Sequence, residues 1–347
     1  MMNAIVIAFR FLLRHKFKIF AVINLIIIFL IILFPMSDLN DTVSTYVSKT
    51  TNNRVYIQFD KMHLNPFTAS LSFDKLLVET PQISTLVTDE LSFSPSITAL
   101  FSQKPGGTLS AKGILKGEVT VHLVPTSSGS SSTTSSATNK NSKSSKSENK
   151  GSTPELKVDR YKIDAQAQNL SLKEIKEVMG LSLPIKGSLN LITSANADIN
   201  FIEQPEMDLT LTINRFELPP SSVSFQSFGR ISLPEIKLNQ IELKGKLANG
   251  KFQIETGKIG NNKDDFFGEI KGDIEVTIQV INGQPTPQFN SYNLSVEMKA
   301  NTAFKEKAKF YLSFLDGYKK DLPDGTIYKM KIQASTMDMP PQITPLQ

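Results

Sequence analysis

From Val55 onward, segment after segment of the chain alternates apolar and polar residues with a period of two. That pattern commits a chain to β-strands, because successive side chains of a strand point to opposite faces. The runs include VYIQF from Val55, SLSFDKLLVE from Ser70, EVTVHLV from Glu118, SLNLIT from Ser188, MDLTLTI from Met207, EIKLNQIELKGKL from Glu235, FFGEIKGDIEVTI from Phe266 and NLSVEMKA from Asn293. Helical spacing is confined to SPSITALF from Ser94, SLKEIKEVMG from Ser171 and AFKEKAKFYLSFLDGYK from Ala303. So few helices do not fit the regular alternation of a parallel doubly wound fold. The pattern predicts a mainly β fold: a curled, mostly antiparallel, groove-like sheet with a few short helices.

A small device recurs within this pattern. LKGEVTV, IKGSLNL, LKGKLAN and IKGDIEV each pair an aliphatic residue with Lys-Gly before a strand, at Gly117, Gly187, Gly245 and Gly272. Glycine inside a strand marks a bulge, a kink or a close backbone approach, and repeated bends in one sense curl a sheet around one face. A plain exposed turn explains each copy singly. In IKLNQIEL the alternation also slips phase between Leu238 and Ile241, as an inserted bulge residue would cause. The candidate apolar face gathers Val119, Val121, Leu123, Leu189, Leu191, Leu209, Leu211, Ile213, Ile274, Val276 and Ile278, with polar neighbours pointing the other way. Such a face needs a cover. A self-packed sandwich, a closed barrel and a trough holding another molecule's hydrocarbon all supply one.

Ahead of the β pattern, Ile19 to Met36 is a run without charge, long enough as a helix to cross a hydrocarbon core of roughly 30 Å. Arg10, Arg14, Lys16 and Lys18 precede it and the next basic residue is Lys49. The positive-inside rule therefore keeps the N-terminus cytoplasmic and exports the rest. The run is longer than a signal-peptide core and exits without a small-x-small site, which favours an uncleaved anchor. Of the formal charge of +5, residues 1–36 supply +4 and the Ser/Thr/Lys-rich stretch Thr126 to Thr153 supplies +3, leaving the folded part near −2. No basic footprint for nucleic acid is left.

That stretch, bounded by Pro125 and Pro154, is too polar to offset its ordering entropy and reads as disordered. The predicted organisation is a basic cytoplasmic N-terminus (1–18), a transmembrane helix (19–36), a helical stalk (37–53) capped by Asp38 or Asp41, a first β region (54–125), the insert (126–153) and a second β region (154–347). A linker between two β-rich parts and a loop within one sheet look alike here. Cysteine is absent, so disulfides, thiolate metal sites and thiol catalysis are excluded. An exported, cysteine-free domain on such an anchor reads as a bacterial inner-membrane protein with a periplasmic C-terminal part. No catalytic, cofactor or metal residues are predicted. His63 and His122 lack a nucleophile to serve, Asp264-Asp265 lacks calcium-loop spacing, and Gly106-Gly107 lacks the Lys-Ser/Thr of a phosphate loop.

Four stretches carry a resemblance: DELSFSPSITALFSQKPGGTLSAKGILKGEVTV from Asp89, LSLKEIKEVMGLSLPIKGSLNL from Leu170, LPEIKLNQIELKGKLANGKFQIETGKIGNNKDDFFGEIKGDIEVT from Leu233 and the FYLSFLDGYKKDLPDGTIYKMKI ending. In these the chain resembles the type II secretion protein N (GspN) family, whose architecture is AsmA-like. The resemblance implies a single-pass inner-membrane component of the secretion apparatus, non-enzymatic, with other secretion components as partners. It also implies, as the alternative, a β-groove that handles phospholipid between membranes. The insert is not part of the family pattern, and no catalytic residues are carried over.

Overall fold

The computed structural model describes residues 39–65, 68–81, 83–96, 104–126, 160–181, 183–198, 200–225, 229–281, 284–323, 325–336 and 339–346, together with positions 18, 22, 24–26, 29 and 99. Most of the predicted span 19–36 and of the insert 126–153 lies outside these residues. Among the described residues no helix is long and apolar enough to cross a membrane.

The alternating segments form one antiparallel sheet of 16 strands. β1 (Tyr56–Gln58) and β2 (Lys61–Asn65) share the free edge of β3 (Ser70–Thr80). A meander follows through β4 (Ile83–Pro95), β5 (Gly107–Lys112), β6 (Glu118–Pro125), β7 (Arg160–Ser171), β8 (Lys186–Asp198) and β9 (Glu206–Leu218). A separate hairpin, β10 (Ser221–Phe225) and β11 (Gly229–Leu233), interrupts the path before β12 (Ile236–Ala248), β13 (Lys251–Ile259), β14 (Phe266–Ile281) and β15 (Gln284–Ala300). Then come β16 (Lys319–Leu322), β17 (Gly325–Ala334) and β18 (Gln342–Pro345); β17 pairs with β15 on one side and with β16 and β18 on the other.

β6 and β7 pair directly, and the Thr126 N–H closes their ladder on the Arg160 carbonyl at 2.9 Å. The two β regions are therefore parts of one sheet, and the insert falls in the connection between adjacent strands. A long loop here costs little, since closure entropy grows only logarithmically with length.

Three of the Lys-Gly copies coincide with breaks in register. Gly187, at φ +135, lies at the shift between Lys186 and Ser188, Gly245 at the Lys244/Gly245 shift, and Gly272 across from the irregular stretch between Ile254 and Gly257. Gly117 differs: it follows a 3-10 turn at Ile114–Lys116 and opens β6. The phase slip in IKLNQIEL is not an inserted residue in β12. β9 makes the same step from Ile213 to Phe216, so Leu238 and Ile241 stay paired with Phe216 and Ile213; the register shift falls one strand over, between β8 and β9. Open twisted sheets rarely exceed about ten strands without curling or splitting. Bulges add local bend and twist to this one.

Helices close the two ends. α1 (Asn40–Thr50) lays Leu39 and Val43 against Phe59, Met62 and Leu76, so it is docked rather than a free stalk. Among the described residues no side chain caps it. Of the two predicted caps, Asp38 lies outside the described residues and Asp41 lies in the first turn; the Asn40 side-chain amide oxygen accepts from the Phe59 N–H at 3.4 Å. α2 (Leu172–Val178) ends at Gly180, φ +66, and leans from β7 and β8 onto β4, tied by Lys116 to Glu174 at 2.6 Å. At the far end α3 (Thr302–Lys307), capped by Asn301 accepting from the Phe304 N–H at 2.7 Å, and α4 (Lys309–Ser313) bury Phe304, Ala308 and Leu312 against Val296, Met298, Tyr328 and Met330. Leu312→Ala is expected to cost about 2–5 kcal/mol through the cavity it leaves, read as a lowered melting midpoint.

Candidate functional site

The register brings all eleven predicted apolar positions to one face. One row runs Met62, Phe73, Leu91, Ala111, Val119, Ala167, Leu191, Leu211, Leu243, Gly257, Ile270, Val296, Met330, one residue from each of 13 strands. A neighbouring row carries Val121 and Leu209, the next Leu123 and Ile274, and on the opposite flank Leu189 and Ile213 pair with Leu170 and Ile241. Val276 and Ile278 lie higher, where β14 and β15 outrun β13, opposite Phe289 and Pro287. There the Gln204 side chain serves as a strand partner: its amide donates to the Ile278 carbonyl at 3.0 Å and its carbonyl accepts from the Ile278 N–H at 2.8 Å.

The cover over these rows decides what the face can do. All eleven side chains are half-buried. The cluster at mid-sheet, Leu247, Phe252 and Ile254 with Met207, Leu209, Leu243, Ile270, Ile274, Val276 and Leu294, comes entirely from β9 and β12–β15. Among the described residues its burial therefore comes from neighbours on the same face, with no second layer. Along the rows the described structure is neither sandwich nor closed barrel, because the pairing ends at β1 and β2 on one side and at β16 and β18 on the other. Nearer the start, Phe93, Leu109, Val121 and Leu123 line an open, mainly apolar cleft of about 750 Å³ beside Ala99 and the Gly106-Gly107 turn.

The bend glycines let the strands close up beneath this face. A Cβ on Gly245 would stand 2.5 Å from the Phe252 ring, and one on Gly272 would stand 2.1 Å from the Asn293 carbonyl oxygen. Phe252 is thus packed against bare backbone. Alanines 111, 165 and 167 and Gly257 belong to the rows as well, although as small residues they give no apolar signal in the sequence.

The opposite face is a field of ion pairs, among them Lys112–Glu90 at 3.0 Å, Lys244–Glu242 at 2.7 Å and Lys271–Glu269 at 3.0 Å. Their hydrogen bonds and charges hold Lys112 above its ordinary range and Glu242 and Glu269 below theirs, and Asp164 is lowered by the Ser194 hydroxyl and Lys162. Every carboxyl group that shifts moves down and every lysine or arginine that shifts moves up, while burial pushes the Tyr328 phenol up, so all of them move away from neutrality. None of these groups is poised to exchange a proton near pH 7. His122 shares a 2.8 Å hydrogen bond with the Thr108 hydroxyl on this exposed face, and His63 pairs with Asp74 at 3.0 Å. The buried Asp264 clips its loop, accepting from the Asn239 and Asn261 N–H groups and from the Asn239 amide.

No known protein family, curated protein or solved structure matches the chain. The apolar face must be interpreted on its own chemistry. Among the described residues no group of His, Cys, Asp or Glu is arranged to hold a metal ion.

Proposed function

We propose that the chain is a membrane-anchored carrier for lipid hydrocarbon, with the apolar face as the inside of a trough. The observation that supports it is the row from Met62 to Met330, unbroken across 13 strands and, among the described residues, without a second layer at mid-sheet. At about 4.8 Å per strand step that row extends some 58 Å. An acyl chain of sixteen carbons left in water costs roughly 12 kcal/mol at 0.8 kcal/mol per methylene, and a continuous apolar lining removes that cost along the path. The ion-paired outer face keeps the same sheet wet on its other side.

The anchor belongs to this reading. Val22, Leu25, Ile26 and Phe29 are helical, and their apolar side chains are exposed. A span at 19–36 would hold α1, and so the first strands, beside a bilayer, with the sheet on the periplasmic side of an inner membrane.

A role in the type II secretion apparatus is a second proposal. It rests on the resemblance and on the β14–β15 hairpin, which outruns β13 and leaves Val280, Ile281 and Phe289 exposed as a surface for a protein partner. One experiment addresses both. A photo-reactive phenylalanine analogue at Leu211 or Ile254, activated in membranes, is expected to capture phospholipid, and the outward-facing Thr210 position is not. The same probe at Phe289 captures a secretion component if the second proposal holds. Absence of lipid adducts from Leu211 and Ile254 alike would sink the carrier reading.

A further inference from the structure

The two helices that close the C-terminal end of the sheet carry aromatic rings the fold does not use. Phe310 is 64% exposed and Phe314 70%, and their rings meet edge to face at 5.3 Å. They are held in place from behind: Phe304, Ala308 and Leu312 of the same helices are buried on the last strands, and Tyr311 donates its hydroxyl hydrogen to the Ser232 carbonyl of β11. A fixed, outward-facing pair of phenylalanines costs solvation in water, and such patches mark contact surfaces.

The charge around the pair says what kind of surface it meets. Residues 302–322 contain five lysines against three acids, a net +2. Lys305, Lys307 and Lys319 pair with Asp321, Asp265 and Asp316, and Lys309 and Lys320 stand exposed. Protein interfaces are depleted in lysine, and a second copy would bring the same positive charge. At a bilayer surface the two features work together: rings enter among the headgroups, while ammonium groups on flexible stems stay level with anionic phosphates. The position fits as well. α1, which follows the predicted anchor in sequence, lies at the β1 end of the sheet and this patch at the β17 end, about 58 Å away along the strand order.

We propose that the α3–α4 cap docks on an anionic lipid surface, so that a chain anchored in one bilayer touches a second through Phe310 and Phe314. The proposal takes its purpose from the carrier reading, but its test does not depend on it. The full-length protein is reconstituted in phosphatidylcholine vesicles and mixed with dye-labelled acceptor vesicles, either of phosphatidylcholine alone or containing phosphatidylglycerol; co-flotation measures tethering. The wild type is expected to tether the anionic acceptors, less so at high salt. Phe310→Ser with Phe314→Ser should weaken tethering at least about tenfold, with an unchanged melting midpoint because both rings are already exposed. Lys309→Glu with Lys320→Glu should weaken it and flatten the salt dependence. Equal tethering by the double-serine variant, no tethering by the wild type, or equal tethering of uncharged acceptors would each overturn the proposal. Lipid adducts at Leu211 together with failed tethering would remove this inference alone, and tethering without lipid adducts would remove only the carrier reading.

Discussion

Gly272→Ala is expected to leave little folded protein. The Gly272 backbone is at φ +139, a conformation that side-chain-bearing residues rarely adopt, and the added methyl would stand 2.1 Å from the Asn293 carbonyl oxygen and 2.9 Å from the Leu294 Cα. Both obstacles are backbone of the neighbouring strand, so no side chain can swing aside. Relief requires β14 and β15 to part, and with them the ladder that joins the meander to its C-terminal cap. The expected cost is about 4 kcal/mol or more, a large part of the 5–15 kcal/mol typical of a domain. Gly317→Ala is the matched control: a methyl there meets nothing within 4 Å, and its effect should stay within about 0.5 kcal/mol. Limited proteolysis and circular dichroism of the two variants side by side measure the difference. A Gly272→Ala protein as protease-resistant as wild type would show that the bend is dispensable.

Leu211→Lys combined with Leu243→Lys should do the reverse, keeping the fold and stopping the lipid. Both leucines are half-buried and are paired with each other midway along the longest row. At half-buried positions a lysine stem can lie along the apolar surface with its ammonium in water, so the sheet tolerates the change. An acyl chain passing that point would have to cross two desolvated charges. Phospholipid adducts at Ile254 and lipid transfer between vesicles are expected to fall at least about tenfold, while the melting midpoint moves by only a few degrees. The opposite pattern, a protein that unfolds, would mean that these leucines sit in a closed core. A variant that transfers lipid as well as wild type would place the path elsewhere.

The parts of the fold legible in the sequence were those that depend on local pattern alone. Strand positions followed from alternation, and the α2 stop followed from Gly180. That all eleven apolar positions share a face also followed, since parity within a strand fixes each side chain's direction once one neighbour is known. What needed partners was hidden. The β10–β11 hairpin, SSVSF and GRISL, alternates too weakly to stand out beside its prolines. β15 begins at Gln284, well before Asn293, because Pro285 and Pro287 obscure the start of the strand. Ala111, Ala167 and Gly257 belong to the apolar row only through their register with Val119, Leu191 and Leu243. The docking of α1 could not be foreseen either, as Leu39 and Val43 find Phe59 only after the chain has turned back on itself. The exposure of Phe310 and Phe314 had the same cause: helical spacing shows two faces, but only the packed strands decide which becomes the inside.

The meander has a consequence for how such a molecule varies. Almost every strand pairs with the one just before and just after it in the chain, so adding or deleting a hairpin changes its immediate neighbours and leaves distant pairings alone. Each additional hairpin would lengthen the molecule by about 10 Å without a new fold, and the long connection tolerated between Pro125 and Arg160 shows how freely the joints accept insertions. The reach of the molecule is therefore a countable property, set by the number of its hairpins and adjustable in whole steps.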